Sequence, residues 1–472
     1  MEKKSYPIKI LQFGEGNFLR SFADWMIAEM NRKIGFNGNV AVIQPIEQGK
    51  IDELNRQNGC YHIVMKGLAN GVPVRKIERI DCIEKGINPY VDFNAYLRLA
   101  ELPEARFIIS NTTESGIAFD PENRFTDTPA KSFPGKLTQL LYRRYTFFKG
   151  AKEKGFIFLP CELIDRNGDA LKKAVLQYIR LWNLEPAFEQ WVNACNYFAN
   201  TLVDRIVTGF PHETIKEIQE EIGCKDELVS ECEIFHLWVI EGDAVIEKEF
   251  PANQAGLNVL FVPDIKPYRD RKVTLLNGAH TVLAPTAFLY GMDTVREAVE
   301  NELTGAFIKK VIAEELMPSL DLSQEELEDF AAAVMERFRN PYIRHQLTGI
   351  LLNSFSKYKT RDLPALKHYV AHNRQLPKGL VAGLAAICVY YRGGLRGKDA
   401  IEVKDNEATM KIVQGAWKQP SCLETARELL GSTVLWDEDL NQINGFTQLL
   451  AAYIERITKT GVESLICEIT ET

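Results

Sequence analysis

Apolar positions fall in two textures along this chain. Up to about residue 268 they come as short runs bounded by glycine, proline or polar clusters; beyond it they recur at three- and four-residue spacing over long stretches. Ile8 to Phe13 alternates and then runs apolar, which predicts a buried first strand. Further strands are predicted at 39–45, 61–65, 72–74, 106–110, 155–160, 235–241 and 259–262, and another element begins at 200–206. Helical spacing follows Asn17 and returns at 90–100 and 170–182. Alternation of this kind predicts an α/β domain over residues 1–268. Amphipathic stretches at 294–315, 323–339, 344–355, 380–391, 421–430 and 441–458 predict a second, mainly α-helical domain over 269–472. The expected linker is 263–271, so that a helix carrying Lys272 would begin where the domains meet, a place that active sites favour.

Composition narrows the class. A chain of 472 residues exceeds one ordinary core. Its 46% apolar and 25% charged residues are those of a soluble globular protein. A net charge of −8 argues against general affinity for nucleic acid or an anionic membrane, and it requires a local basic pocket for any anionic substrate. The N-terminus has no signal-peptide core, and the longest uncharged run, Gly379 to Tyr391, is too short to cross a bilayer and is expected to be a buried helix. Nine scattered cysteines, odd in number and never spaced as CxxC, predict reduced thiols, a cytoplasmic protein and no metal site.

Three clusters carry candidate chemistry. The first strand ends in Gly14-Glu15-Gly16 and leads into a helix, an arrangement that holds a pyrophosphate on backbone N–H groups; Leu19 stands where a third glycine is usual. After the second strand comes Gln44, where an acid usually binds the adenosine ribose, so these residues leave the choice between NAD and NADP open. The strand ending at Ser110 is followed by Asn111, Thr112, Thr113 and Glu114, at the edge where a doubly wound sheet places its cofactor. Lys272, Asn277 and His280 form the third cluster. At about 100° per residue on an α-helix, Asn277 lies roughly 140° and His280 roughly 80° from Lys272, so all three share one side. An amine of lowered pKa can act as a base there, with the amide and imidazole holding an oxygen. A surface lysine, a capping asparagine and a satisfied histidine would have the same spacing.

The residues resemble the mannitol dehydrogenase family of polyol-specific long-chain dehydrogenases. The resemblance runs in order over nearly the whole chain: Gln12 to Arg20, Ser110 to Gly116, Pro160 to Asp165, Asn167-Gly168, Thr201 to Gly209, Asp264 to Tyr268, Lys272…Asn277…His280 and Arg339 to Tyr342. It implies a Rossmann-type doubly wound sheet followed by a helical substrate-binding domain, NAD(H) and no metal. The cofactor would lie on Phe13, Gly14, Glu15, Gly16, Asn17, Phe18, Leu19, Arg20, Gln44, Asn111, Thr112, Thr113 and Glu114. Lys272 would be the catalytic base, with Asn277 and His280 beside the reacting oxygen. The stretches 161–165 and 264–268 look specific to a uronate branch, which implies interconversion of D-tagaturonate and D-altronate in hexuronate catabolism. Leu163 replaces an asparagine, and Gly349 an arginine, of the mannitol-oxidising members. The substrate carboxylate needs a cation, with candidates among Arg344, His345, Lys357, Lys359 and Arg361; of these Lys357 and Arg361 are preferred, and Asp204 joins them on the substrate side. A polyol or polyol-phosphate dehydrogenase of the same family is the alternative, and a dinucleotide sensor without turnover a more distant one. The oligomeric state is left open.

Overall fold

The predicted strands of the first half build three sheets. The structure is a computed structural model that describes residues 3–113, 115–396 and 399–471. In chain order the strands are β1 Ile8–Phe13, β2 Asn39–Ile43, β3 Tyr61–Ala69, β4 Val72–Ile80, β5 Ile83–Ile87, β6 Phe107–Ser110, β7 Ile157–Pro160, β8 Tyr197–Phe198, β9 Thr201–Asp204, β10 Val207–Gly209, β11 Ser230–Glu233, β12 Leu237–Glu241 and β13 Val259–Val262. The principal sheet has the order β5-β2-β1-β6-β7-β8 and is parallel throughout. Its order reverses between β1 and β6, the switch point at which a doubly wound sheet takes a nucleotide.

Alternation within these strands explains their apolar runs. Ile10, Val40, Val42, Phe107, Ile109, Ile157 and Leu159 enter one buried cluster with Met26 and Ile27. Leu11, Phe13, Ala41, Ile43, Ile108 and Phe158 enter a second with Tyr96, Leu137 and Leu140. Both faces are covered, so the strands are mostly apolar, as in parallel sheets generally; the buried Gln12 and Ser110 are hydrogen-bonded. Each apolar side chain stabilises by about 1.5–3 kcal/mol, and a charge at Ile108 would strand itself between sheet and helices.

Two compact units divide the chain: Met1–Gly67 with Val74–Ile265, and Leu68–Pro73 with Lys266–Thr472. The second contains long helices, among them Gln324–Phe338, Lys378–Arg392 and Phe446–Thr460. The uncharged run 379–391 is indeed a helix, buried on nearly every side. Among the described residues no helix is long and apolar enough to cross a membrane.

Three expectations need correction. The division between the two units falls within the expected linker 263–271, at 265/266, but most of that stretch is not a linker: Lys266–Arg271 is a helix that continues through Lys272–Gly278 into Ala279–Tyr290. Lys272 therefore sits inside a continuous helical run and not at a helix start. Residues 344–355 form only the short helix Leu347–Ile350 before Ser354 opens the next one. Strands β3 and β4 are longer than 61–65 and 72–74, because most of β4 faces outward and carries Arg and Lys between its apolar residues.

Candidate active site

The N-terminal unit builds its turn from backbone. Gly14 has φ +123°, a conformation that a side chain resists, and its N–H donates to Ile43 O at 3.1 Å, which ties the turn to the end of β2. A Cβ on Gly14 would lie 3.1 Å from Asn111 O, so the loops after β1 and β6 meet at the switch point. A Cβ on Gly16 would meet nothing within 4 Å, which leaves an open cradle beside the backbone, of the kind a pyrophosphate needs. Asn111, Thr112 and Thr113 continue β6, with Asn111 Nδ2 on Cys161 O at 3.0 Å. Thr113 holds φ +86°, uncommon outside glycine. Glu114 lies outside the described residues.

The side chains expected on the cofactor divide here. Glu15, Asn17 and Phe18 remain partly exposed, and Phe18 stacks on Phe22 at 4.9 Å. Phe13 and Leu19 are core residues, able to offer only backbone. Arg20 departs from the expectation: its guanidinium is buried and donates to Leu228 O and Asn17 Oδ1, beside Asp24 and Tyr61. It braces the turn from below. Gln44 is buried and donates through Nε2 to Ile46 O and Glu47 O, both at 2.8 Å.

Sequence reasoning passed over Glu162. Buried after β7, it accepts from Ser110 Oγ at 3.0 Å and from Thr112 N–H and Oγ1 at 3.0 and 2.9 Å. Burial raises its pKa, while these donors pull it back. The signal was present as a lone acid directly behind a core strand. Asn167 does similar work: its Nδ2 donates to Pro160 O, Glu162 O and Thr201 O, and its Oδ1 accepts from Thr201 N–H. Asp204 is buried at the end of β9, in this unit and not in the one that carries Lys272. Leu163 is exposed.

In the C-terminal unit Lys272–Gly278 is a π-helical turn, with i→i+5 hydrogen bonds. Its wider turn rotates each residue by less than an α-helix does, so Asn277, five residues on, comes closer to the line of Lys272 than α spacing predicts. Arg361 fastens the turn through Nη1, 3.4 Å from Asn277 O and 3.2 Å from Thr281 Oγ1. Behind it the Asp362 carboxyl is buried, with neither oxygen hydrogen-bonded among the described residues, and a Cβ on Gly278 would lie 2.7 Å from its Oδ1. Burial pushes its pKa well up, against the pull of Arg361.

His280 stacks against Phe338 at 4.1 Å and meets the edge of His345 at 5.0 Å. Its Nε2 is buried without a hydrogen-bond partner among the described residues. Burial, then His345, Arg337, Arg361 and Lys357, hold its pKa well below that of an ordinary imidazole. The ring is therefore neutral and able to donate one N–H. Several basic side chains thus act on this ring, and Arg337 is one that sequence reasoning did not name. Lys357 donates to Ile350 O at 2.7 Å, and burial and Arg361 lower its pKa. Lys359 is engaged elsewhere, 2.5 Å from Asp437. Arg344 is exposed, as is Gly349.

Comparison with known proteins accords with this geometry. Residues 8–254 match the mannitol dehydrogenase Rossmann domain and residues 264–458 the mannitol dehydrogenase C-terminal domain. The chain belongs to the mannitol dehydrogenase family. Relatives in it include the altronate oxidoreductases of Phocaeicola vulgatus, 52% identical over 98% of this chain and 96% of that protein, and of Bacillus subtilis, 46% identical over 97% and 94%. Among solved structures, substrate-free D-sorbitol dehydrogenase superposes with a TM-score of 0.84 at 21% identity, covering 98% of this chain and 95% of that one. Pseudomonas fluorescens mannitol 2-dehydrogenase, in its ternary complex with NAD and D-mannitol, gives 0.69 at 21% identity, covering 99% and 95%. For this family member the two likenesses establish the fold: a Rossmann-type sheet domain and a helical C-terminal domain.

Proposed function

We propose that this chain is an NAD-dependent oxidoreductase that interconverts D-tagaturonate and D-altronate. The near-full-length identity to altronate oxidoreductases supports the substrate, and one structural observation carries the site: the unpartnered Nε2 of a neutral His280 set among His345, Arg337, Arg361 and Lys357. A neutral donor among cations suits a hydroxy acid, whose oxygen needs an N–H and whose carboxylate needs a positive charge. The N-terminal unit is the dinucleotide-binding part and the C-terminal unit the substrate-binding part. We place the protein in the cytoplasm on its nine cysteines, all free thiols.

A bound nicotinamide supplies the hydride acceptor for oxidation and the hydride donor for reduction. The Gly14–Gly16 turn and the loop that Glu162 holds seat the dinucleotide. In oxidation neutral Lys272 takes the hydroxyl proton as the C–H hydride departs and the carbonyl forms; in reduction its ammonium returns the proton. Asn277 and His280 donate to the oxygen while its charge changes. An ammonium ordinarily titrates near 10.4, so a base at this position needs its charge disfavoured, and the cations around His280 have the required sign. Lys357 or Arg337 takes the carboxylate; Arg361 holds the Asn277 turn in place.

NADH oxidation measured against tagaturonate, other ketouronates, ketohexoses and their phosphates tests the proposal. Tagaturonate should give the highest kcat/KM. Preference for fructose or a phosphorylated hexose would assign the chain to another activity of its family. NADH binding without turnover on any of them would leave only a sensor.

A further inference from the structure

Gln44 stands where a Rossmann sheet ordinarily carries the acid that binds the adenosine ribose, and its amide nitrogen is committed to Ile46 O and Glu47 O. A different carboxylate occupies that corner. A Cβ added to Gly49 would collide with Glu15 Oε1 and lie 2.5 Å from both Cδ and Oε1 of Gln44, so the Glu15 carboxylate and the Gln44 amide converge on one point over the loop after β2. The other oxygen, Glu15 Oε2, is buried with no hydrogen-bond partner among the described residues. Glu15 is the middle residue of the turn proposed to hold the pyrophosphate, so its side chain leaves that cradle toward the end of β2.

We infer that Glu15 takes over the ribose-reading role from β2 and makes the enzyme reject a 2′-phosphate. The inference rests on the dinucleotide reading of the N-terminal unit. Two carboxylate oxygens accept hydrogen bonds from ribose hydroxyls but cannot donate to a phosphate. A 2′-phosphate would bring about −1.5 to −2 charges against a carboxylate that packing holds in place. Burial raises the Glu15 pKa, but the backbone N–H groups of Glu15 and Lys50, with Arg20 and Lys50 at longer range, favour its charged form. With Glu15 neutralised, Arg20 and Lys50 remain as charges of the sign that attracts phosphate. Glu47 is the competing acid on this loop; it is exposed, and its charge acts on Tyr90.

Fluorescence titration of NADH and NADPH against wild type, Glu15→Gln, Glu15→Asp and Glu47→Gln separates these roles. Wild type should favour NADH. Glu15→Gln should weaken NADH roughly tenfold, the worth of a hydrogen bond to a charged acceptor, and should tighten NADPH. Glu15→Asp, shorter but still charged, should lose NADH affinity and keep rejecting NADPH. Glu47→Gln should leave the ratio unchanged. Adenosine 2′,5′-bisphosphate should compete with NADH in Glu15→Gln better than in wild type, relative to 5′-AMP. An unchanged NADPH-to-NADH ratio in Glu15→Gln, or a ratio that moves with Glu47→Gln instead, overturns the assignment while the dinucleotide site stands. Failure of wild type to bind either nucleotide overturns both.

Discussion

In the N-terminal unit the groups proposed to face ligand are backbone amides, small residues and one acid, Glu15, on loops at the ends of parallel strands, one of which the buried Glu162 holds. In the C-terminal unit they are a π-helical turn and a set of cations. The first arrangement needs little side-chain chemistry, because a strand end and a glycine turn leave N–H groups unsatisfied in any sequence that can form them. The second is made of side chains: Arg361 on the Asn277 carbonyl, Asp362 behind Gly278, and His345 against His280. Damage should accordingly separate the two units, with nucleotide affinity failing in one and proton chemistry in the other.

The sharpest test of that separation is Lys272→Met. It keeps the stem but cannot exchange a proton, so kcat should fall roughly 10²–10⁴-fold, the usual worth of a positioned acid–base group. NADH affinity should stay at the wild-type value, and the basic limb of the pH profile for altronate oxidation should vanish. Lys272→Arg should fare little better, since a guanidinium does not deprotonate. Near-normal turnover with an unchanged profile would move the base to Asp204 or His280.

The contrast also governs how far each region could be read in advance. Strand β1 was expected at Ile8–Phe13 and occurs there, because a strand buried on both faces is mostly apolar; its one buried polar side chain, Gln12, is hydrogen-bonded to Gly14 O and Asp24. The turn Gly14–Gly16 was legible for the same reason: its φ and its close approach to Asn111 call for glycine. The π-turn was not. Helical spacing is read at the α period, and nothing in Lys-Val-Thr-Leu-Leu-Asn-Gly announces a wider one. Arg337 was passed over because a basic residue in the last turn of Gln324–Phe338 looks like a charge facing water. Glu162 and Asp362 were missed because their meaning lies in what buries them.

A second π-helical turn, Ile312–Leu316, packs against the first and makes a pH test of the C-terminal unit. Its Glu315 accepts from Gly379 N–H at 2.8 Å and Leu380 N–H at 2.7 Å, and burial pushes its pKa up to about 7. Unfolded, the same carboxyl titrates near 4.3. Between those values the folded state binds more protons, so stability falls as pH rises and levels off above about 7. The loss should reach about 4 kcal/mol at most. Glu315→Gln removes the proton but keeps an acceptor, so thermal midpoints measured across this range should lose part of their slope. A slope that survives in Glu315→Gln would come from the other buried carboxyls whose pKa is raised, Asp24, pushed up to about 7, and Asp362 among them.

Gly16→Ala examines the other side of the contrast at lower cost to the fold. Gly16 has φ −67°, which alanine adopts freely, and the added Cβ meets no protein atom. It would fill only the space proposed for the pyrophosphate, so NADH should bind about tenfold or more weakly with an unchanged thermal midpoint. Lys272 chemistry at saturating NADH should be nearly normal. Unchanged affinity would remove the cradle from the reading.

The smallest effects should come from two lysines on one short helix, Ser354–Arg361. Lys357 belongs to the cations that depress His280, and its own pKa is lowered by burial and by Arg361. Lys359 is turned to Asp437. A uronate differs from a neutral ketose chiefly by its carboxylate, so Lys357→Met should raise KM for tagaturonate roughly tenfold relative to a neutral ketose, the order of one charge-assisted hydrogen bond. Lys359→Met should leave that ratio where it was, because an exposed ion pair contributes little and lies off the pocket. Equal effects from both would mean that net charge alone draws the substrate in, and raised ionic strength should then erase them together. If Lys357→Met has no effect either, the carboxylate falls to Arg337 or Arg361, the other two cations that act on His280.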